Sequence, residues 1–269
     1  MYKLIALDMD GTLLTSNKTI TERTKNVIKE AEKKGVKIVL ASGRPLNGLT
    51  RYLEELDLFS EDDYVLSYNG GLVQNTKTEE IVSKVTIKGS DLKHIYEVSK
   101  ELNINIHAFS AKEGLITPKP SKYTQYEADM NGIEFKIKDF NTVDDNEDII
   151  KVMMIDEADI LDAAIEKLPQ DLYEKYSVFK SAPYFLEFTN KKVDKGLGLK
   201  RLGEHLGIKQ DEIIACGDAG NDLSMVKYAG LGVAMGNATD EVKEAANFIT
   251  TSNDEDGIAN VIEKFILNI

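Results

Sequence analysis

The sequence predicts an α/β protein with a doubly wound parallel-sheet core, of the Rossmann-like kind, interrupted by an inserted α+β domain. Apolar runs of strand length alternate with amphipathic helical segments as far as Ser67, and the same rhythm returns after Lys192. These strands lack the in-out alternation of a half-exposed sheet, as expected of parallel strands covered on both faces. Between about Thr86 and Phe188 the rhythm breaks into mixed strands, helices and a hairpin, a stretch long enough for its own core.

Residues 4–7 form the first apolar run, and 22–34 follow as a helix with Thr21 as its N-cap and Gly35 just past its end. Residues 37–41 are a second buried-type strand. Pro45 stands in the first turn of the next helix, which carries Leu46, Leu49, Leu53 and Leu56 on one face. Residues 64–67 make a third strand, Asn69-Gly70-Gly71 a turn, and 72–85 short strands. The insert is expected to hold helices at 90–102 and 121–130, a strand at 149–155, a helix ending at Lys167, and paired strands at 176–180 and 185–189. Helix 195–206, strand 213–216 and helix 221–229 complete the core. The expected division is 1–85 with 190–269 for the core and 86–189 for the insert, with hinges near Thr86 and Asn190.

Composition narrows the function. Of 269 residues, 42% are hydrophobic and 29% charged, the balance of a folded globular chain. The 33 basic and 46 acidic side chains leave a net charge of −13, which repels nucleic acid and anionic lipid and excludes them as expected partners. An anionic substrate would then need a local device against that field, usually a divalent cation. Cys216 is the only cysteine, so no internal disulfide forms. The apolar stretch before Asp8 is too short for a signal peptide or a membrane span. The chain is therefore expected to be soluble and cytoplasmic.

The sharpest feature is Asp8-Met9-Asp10-Gly11-Thr12, directly after the first strand. Open α/β sheets bind ligands at the carboxyl ends of strands, and residues i and i+2 leave a strand on one side, so Asp8 and Asp10 can address one ligand. Two carboxylates there are costly unless they hold a cation or a proton. Three other segments stand at equivalent places. Ser42-Gly43-Arg44-Pro45 offers a hydroxyl and backbone amides to an anion, Asp194-Lys195-Gly196 opens a helix, and Gly217-Asp218 with Asn221-Asp222 follows the strand at 213–216.

In that order the four segments resemble the motifs of the haloacid dehalogenase (HAD) superfamily, and the likeness spans nearly the whole chain. The insert resembles the α/β cap of the Cof-type phosphatases, residues 230–238 are similar to the tail of that group, and the sugar-phosphate phosphatases are the most similar members. The resemblance implies a Mg²⁺-dependent phosphatase of small phosphorylated metabolites, most of all sugar phosphates. Asp8 would be the nucleophile that becomes an aspartyl-phosphate, and Asp10 the general acid and then base. Mg²⁺ would be held by the carboxylates of Asp8 and Asp218 and the backbone carbonyl of Asp10, with Asp222 ligating or supporting. Ser42 and Lys195 would hold the transferring phosphoryl oxygens, helped by donors around Gly11, Gly43 and Asn221. Arg44, Asn47, Asn69, Tyr184 and Glu187 are candidate contacts to the alcohol half.

Two alternatives use similar groups. One is phosphoryl transfer between sugars, as in capped phosphomutases. The other is a non-catalytic regulator phosphorylated on aspartate, against which the Asp-x-Asp spacing and the large insert both weigh. Residues 252–257 resemble a calcium loop but begin with Ser rather than Asp, so Asp256 is expected to cap the last helix instead. His94, His107 and His205 lack metal-ligand spacing and are expected to be solvated or satisfied.

Overall fold

The computed structural model describes residues 1–269 and opens on β1 (Leu4–Asp8), buried at every position. α1 (Glu22–Lys33) is capped by Thr21, which accepts the Thr24 amide, and turns Val27, Ile28 and Ala31 inward. β2 (Lys37–Ala41) follows. Beyond Pro45 the expected helix is split into a 3-10 turn at Asn47–Leu49 and α2 (Thr50–Glu55). Leu46, Leu49, Leu53 and Leu56 are all buried, so the apolar face is present. The break falls at Asn47-Gly48, two poor helix formers in succession. β3 (Tyr64–Ser67), β4 (Leu72–Asn75) and β5 (Ile81–Lys84) end this segment.

The insert begins with β6 (Ile87–Lys88), α3 (Gly89–Glu101), β7 (Asn105–Ser110) and β8 (Gly114–Thr117). α4 (Lys122–Asn131), β9 (Phe135–Ile137) and β10 (Asp148–Ile155) come next. α5 (Ala158–Ile165) stops before the expected Lys167, and α6 (Gln170–Lys175) is a helix that the sequence reading lacked. Pro169 divides the two, and six residues are too few for a helical period to show. β11 (Tyr176–Ala182) and β12 (Phe185–Asn190) form the expected hairpin. α7 (Lys195–Leu206), β13 (Ile213–Gly217) and α8 (Leu223–Tyr228) then return to the βα rhythm. The chain ends through β14 (Leu231–Ala234), α9 (Asp240–Ala245), β15 (Phe248–Ile249) and α10 (Gly257–Ile262).

Two compact units result, Met1–Lys84 with Asp194–Ile269, and Val85–Val193. The first holds an eight-stranded sheet in the order β15-β14-β13-β1-β2-β3-β4-β5, parallel from β15 to β3 and antiparallel at β4 and β5. The chain leaves β1 toward β2 and comes back on the other side through β13. That reversal makes a switch point at the carboxyl ends of β1 and β13. Ile5, Leu7, Ile38 and Leu40 pack under α1 and α10, while Leu4, Ala6, Val39 and Ala41 pack under α7 and α8. Burial on both faces, at about 2 kcal/mol for each large aliphatic side chain, fixes the strand depth and with it the position of Asp8.

In the second unit the order is β11-β12-β10-β7-β8-β9, with β6 pairing with the start of β10. Ile106, Val152, Met154 and Phe188 line one face with α3 and α5. Alternation puts Lys151 and Met153 on the other face. There the Lys151 Nζ lies 3.2 Å from Glu187 Oε1 and 3.8 Å from Glu127 of α4. His107 is fully buried on the same side, its Nε2 3.1 Å from Met153 Sδ and its Nδ1 without a partner. Burial, and then the Lys151 charge, hold its pKa down to about 3, so the ring is neutral. It is neither solvated nor satisfied, contrary to the expectation from sequence.

On α1, burial and then the charges of Asp63 and Asp57 push Glu32 up to about 7, against weaker help from Lys29 and Lys37. A carboxyl raised above its unfolded value costs nothing below that value, and the cost grows as pH rises through the folded pKa. Glu32→Gln is therefore expected to stabilise the fold at pH 8 by about 1 kcal/mol once solvent screening is allowed for, seen as a higher thermal midpoint. The gain should close by pH 4.5, and a gain that grows on acidification would refute it.

Candidate active site

Register delivers the first groups. Leu7 pairs with Cys216 and Asp8 with Ala41, so Asp8 stands level with Gly217 on one side and just before Ser42 on the other. Asp194 caps α7 by accepting the Leu197 amide at 2.6 Å, and the Gly196 amide donates to Ser224 Oγ at 3.0 Å. These two bonds seat the start of α7 on α8 and bring Lys195 inward, where it is fully buried. Its Nζ lies 2.5 Å from Asp8 Oδ1 and 2.6 Å from Asp222 Oδ1. Asp222 Oδ2 accepts the Asp218 and Ala219 amides, both at 3.0 Å. Gly217 permits this fold-back, since a Cβ there would lie 2.3 Å from that of Asp222.

Asp8, Asp218 and Asp222 thus converge, with one oxygen from each within 4.8 Å of the others. Burial pushes the Asp8 pKa up to about 7; Lys195 opposes this, while the charges of Asp222 and Asp218 add to it. Burial also raises Asp218, although Thr12 Oγ1 donates to its Oδ1 at 2.7 Å. Burial would lower the Lys195 pKa, but Asp8 and Asp222 outweigh it and keep the ammonium charged. Three carboxylates against one ammonium leave an excess of negative charge among hard oxygen donors, which fits a divalent cation. Gly11, at φ +85°, completes the close packing, because a Cβ would come within 2.5 Å of Asp218 Oδ2.

Asp10 faces elsewhere. Its Oδ1 lies 2.7 Å from Lys18 Nζ, and its Oδ2 accepts the Arg44 guanidinium at 2.8 Å. Burial would raise its pKa, but the Lys18 hydrogen bond and the Arg44 charge win and hold it below the usual carboxylate value. Its carboxylate is thus outside the three-acid cluster; the resemblance assigned only its backbone carbonyl to the metal. Arg44, expected on the substrate, is engaged with Asp10.

The remaining candidates divide by position. Ser42 is buried, and its Oγ accepts the Arg44 amide at 3.2 Å. Asn69 donates its backbone amide to the Ser42 carbonyl at 2.8 Å and accepts from Asn221 Nδ2 at 3.2 Å, so it links the second and fourth segments. Gly43 lies beside the Asn69 amide. Asn47 is exposed in its 3-10 turn. Tyr184 and Glu187 belong to the inserted unit, where Tyr184 stacks on Tyr123 at 5.0 Å and Glu187 pairs with Lys151. Lys18 and Thr12 carried no role in the sequence reading. Lys18 sits in the tight return Thr15–Thr19, and the only sequence signal was a turn of polar residues after buried Leu13 and Leu14.

Residues 5–262 match the haloacid dehalogenase-like hydrolase family. The chain belongs to that family. It is 45% identical over 269 residues to the Bacillus subtilis (strain 168) protein named “Putative phosphatase YxeH”, with 99% of each chain covered. It is 31% identical to the 5-amino-6-(5-phospho-D-ribitylamino)uracil phosphatase YcsE of the same organism, covering 98% of this chain and 96% of that one. A crystal structure of a haloacid dehalogenase-like hydrolase from Bacteroides thetaiotaomicron superposes with a TM-score of 0.86 at 38% identity, covering 98% and 99%. The expected family and α/β fold are therefore met, and the chain is a HAD-type phosphatase, a hydrolase of phosphoric monoesters. No helix is long and apolar enough to cross a membrane.

Proposed function

We propose that this phosphatase is Mg²⁺-dependent, acts on sugar phosphates and similar small phosphorylated metabolites, and works in two steps on Asp8. The observation that carries this reading is the buried Asp8 carboxylate, gripped by Lys195 amid two further acids. Asp8 and Asp218, with the Asp10 carbonyl, would hold the ion. Both Asp222 oxygens already have partners, which suits a supporting role. The bound ion supplies charge compensation between the carboxylates and the phosphate, a repulsion of about 4 kcal/mol per charge pair at 4 Å and an effective dielectric near 20.

In the first step an Asp8 oxygen bonds to phosphorus as the ester oxygen leaves, and Asp10, having taken a proton from solvent on its release from Arg44 and Lys18, gives that oxygen the proton. In the second, Asp10 takes a proton from water as the water oxygen attacks phosphorus and releases Asp8 and phosphate. Lys195 and Ser42 hold the phosphoryl oxygens throughout. An incoming phosphate dianion competes with Asp10 for Arg44 and Lys18, so substrate binding and release of the Asp10 carboxyl go together.

The substrate class rests on family likeness and on YcsE, whose name gives it a phosphorylated ribityl chain. Phosphate release should vanish in EDTA and return with Mg²⁺. On a panel of sugar phosphates, ribitylaminouracil phosphate, nucleotides and vitamin phosphates, kcat/KM should be highest for a sugar phosphate. Full activity in EDTA would remove the metal claim, and a preference for nucleotides would remove the substrate claim.

A further inference from the structure

Two asparagines from the far end of the chain hold the loop that carries Asp10. This loop leaves β1 and turns at once, with the Leu13 amide on the Asp8 carbonyl at 3.1 Å and the Leu14 amide on that of Met9 at 2.9 Å. Buried Met9, Leu13 and Leu14 anchor its base. Gly11 has no side chain with which to fix its own peptide. Asn237 Nδ2 instead donates to the Gly11 carbonyl at 2.8 Å, and Asn253 Nδ2 to the Leu14 carbonyl at 2.8 Å. The two are linked, since the Asn253 backbone amide donates to Asn237 Oδ1 at 3.0 Å and so orients that side-chain amide. Close by, the Thr239 amide donates to the Asp218 carbonyl at 2.9 Å. Residues 237–239 therefore touch both the Asp10 loop and the Asp218 loop, and set one against the other.

We propose that Asn237 and Asn253 are positioning residues for Asp10, holding its loop where it can protonate the leaving oxygen. The inference rests on the acid–base role given to Asp10 above. Neither asparagine touches the reacting atoms. Their effect should therefore scale with how much the leaving group needs a proton, which a contribution to stability alone would not do.

The test compares a sugar phosphate, whose alkoxide must be protonated as it leaves, with p-nitrophenyl phosphate, whose leaving group needs no proton. The kcat/KM is the measure, because it reports the reaction up to the first irreversible step. In Asn237→Ala it should fall about tenfold or more for the sugar phosphate but less than about threefold for the aryl ester, a loss on the scale of mispositioned acid–base groups. The thermal midpoint should move little. Asn253→Ala should show the same pattern and carries the test if Asn237→Ala fails to fold.

Asp10→Asn is the control and should show the largest leaving-group dependence. Equal losses on both esters, or none, in the asparagine variants while Asp10→Asn discriminates would overturn the inference alone. A wild-type protein inactive on both esters, or an Asp10→Asn variant that does not discriminate, would instead overturn the reaction assigned to the site, and the inference with it.

Discussion

Asp8→Asn is expected to abolish phosphate release from every ester, by on the order of 10⁴-fold or more, while the fold survives. An amide oxygen of the same shape cannot form the phosphoryl bond, so no second route through the site remains. Stability should follow the opposite course. Burial and the charges of Asp222 and Asp218 push the Asp8 carboxyl up, which means that its ionised form is held at a cost in the metal-free protein. The amide removes that cost and leaves Lys195 its contact with Asp222 Oδ1 at 2.6 Å. In metal-free buffer at pH 8 the variant should melt no lower than wild type. Loss of activity together with a clear drop in midpoint would mean that Asp8 is a structural ion pair, and retained turnover would mean that it is not the nucleophile.

How much of this was legible in the sequence depended on how local each signal is. The Asp8-Met9-Asp10-Gly11-Thr12 segment could be read because its strand, its two acids and its turn are consecutive. The second, third and fourth segments could be placed because each directly follows a strand or opens a helix. Lys195 was weaker, since one lysine at a helix start is normally on the surface. Its complete burial comes from the Asp194 cap and from Gly196 lying against Ser224, neither of which has a periodic signature. The partners of Asp10 could not be read at all: Lys18 reaches it from the turn Thr15–Thr19, and Arg44 from the neighbouring strand end. The Asn237 contact with Gly11 joins positions 226 residues apart, which no spacing rule encodes. Asp256 shows the same limit. It stands at the cap position of α10, but at φ 55° its carboxylate turns to the Thr21 hydroxyl at 2.5 Å instead of capping the helix.

Lys195→Met should damage both stability and turnover, and the sizes of the two losses discriminate between roles. Met nearly matches the volume, so packing changes little, and burying its side chain gains about 2 kcal/mol at most. Against that, the ammonium leaves two buried carboxylates that it had contacted at 2.5 and 2.6 Å. Breaking a buried pair by removing one partner costs about 3–5 kcal/mol, so the loss wins. The net loss is about 1–3 kcal/mol, and at roughly 2–4 °C per kcal/mol for a chain of this size a drop of about 2–12 °C is expected. Loss of the charge that steadies the phosphoryl oxygens should lower kcat by about 10²–10³-fold in addition. Lys195→Arg should not restore either property, because a larger, forked cation has no room at a fully buried position. Since the ammonium and a divalent cation answer the same carboxylates, millimolar Mg²⁺ should raise the midpoint of Lys195→Met more than that of wild type. An equal rise in both proteins would separate the cation from the acid cluster, and a variant melting with wild type would mean that the three acids do not depend on this lysine for their burial.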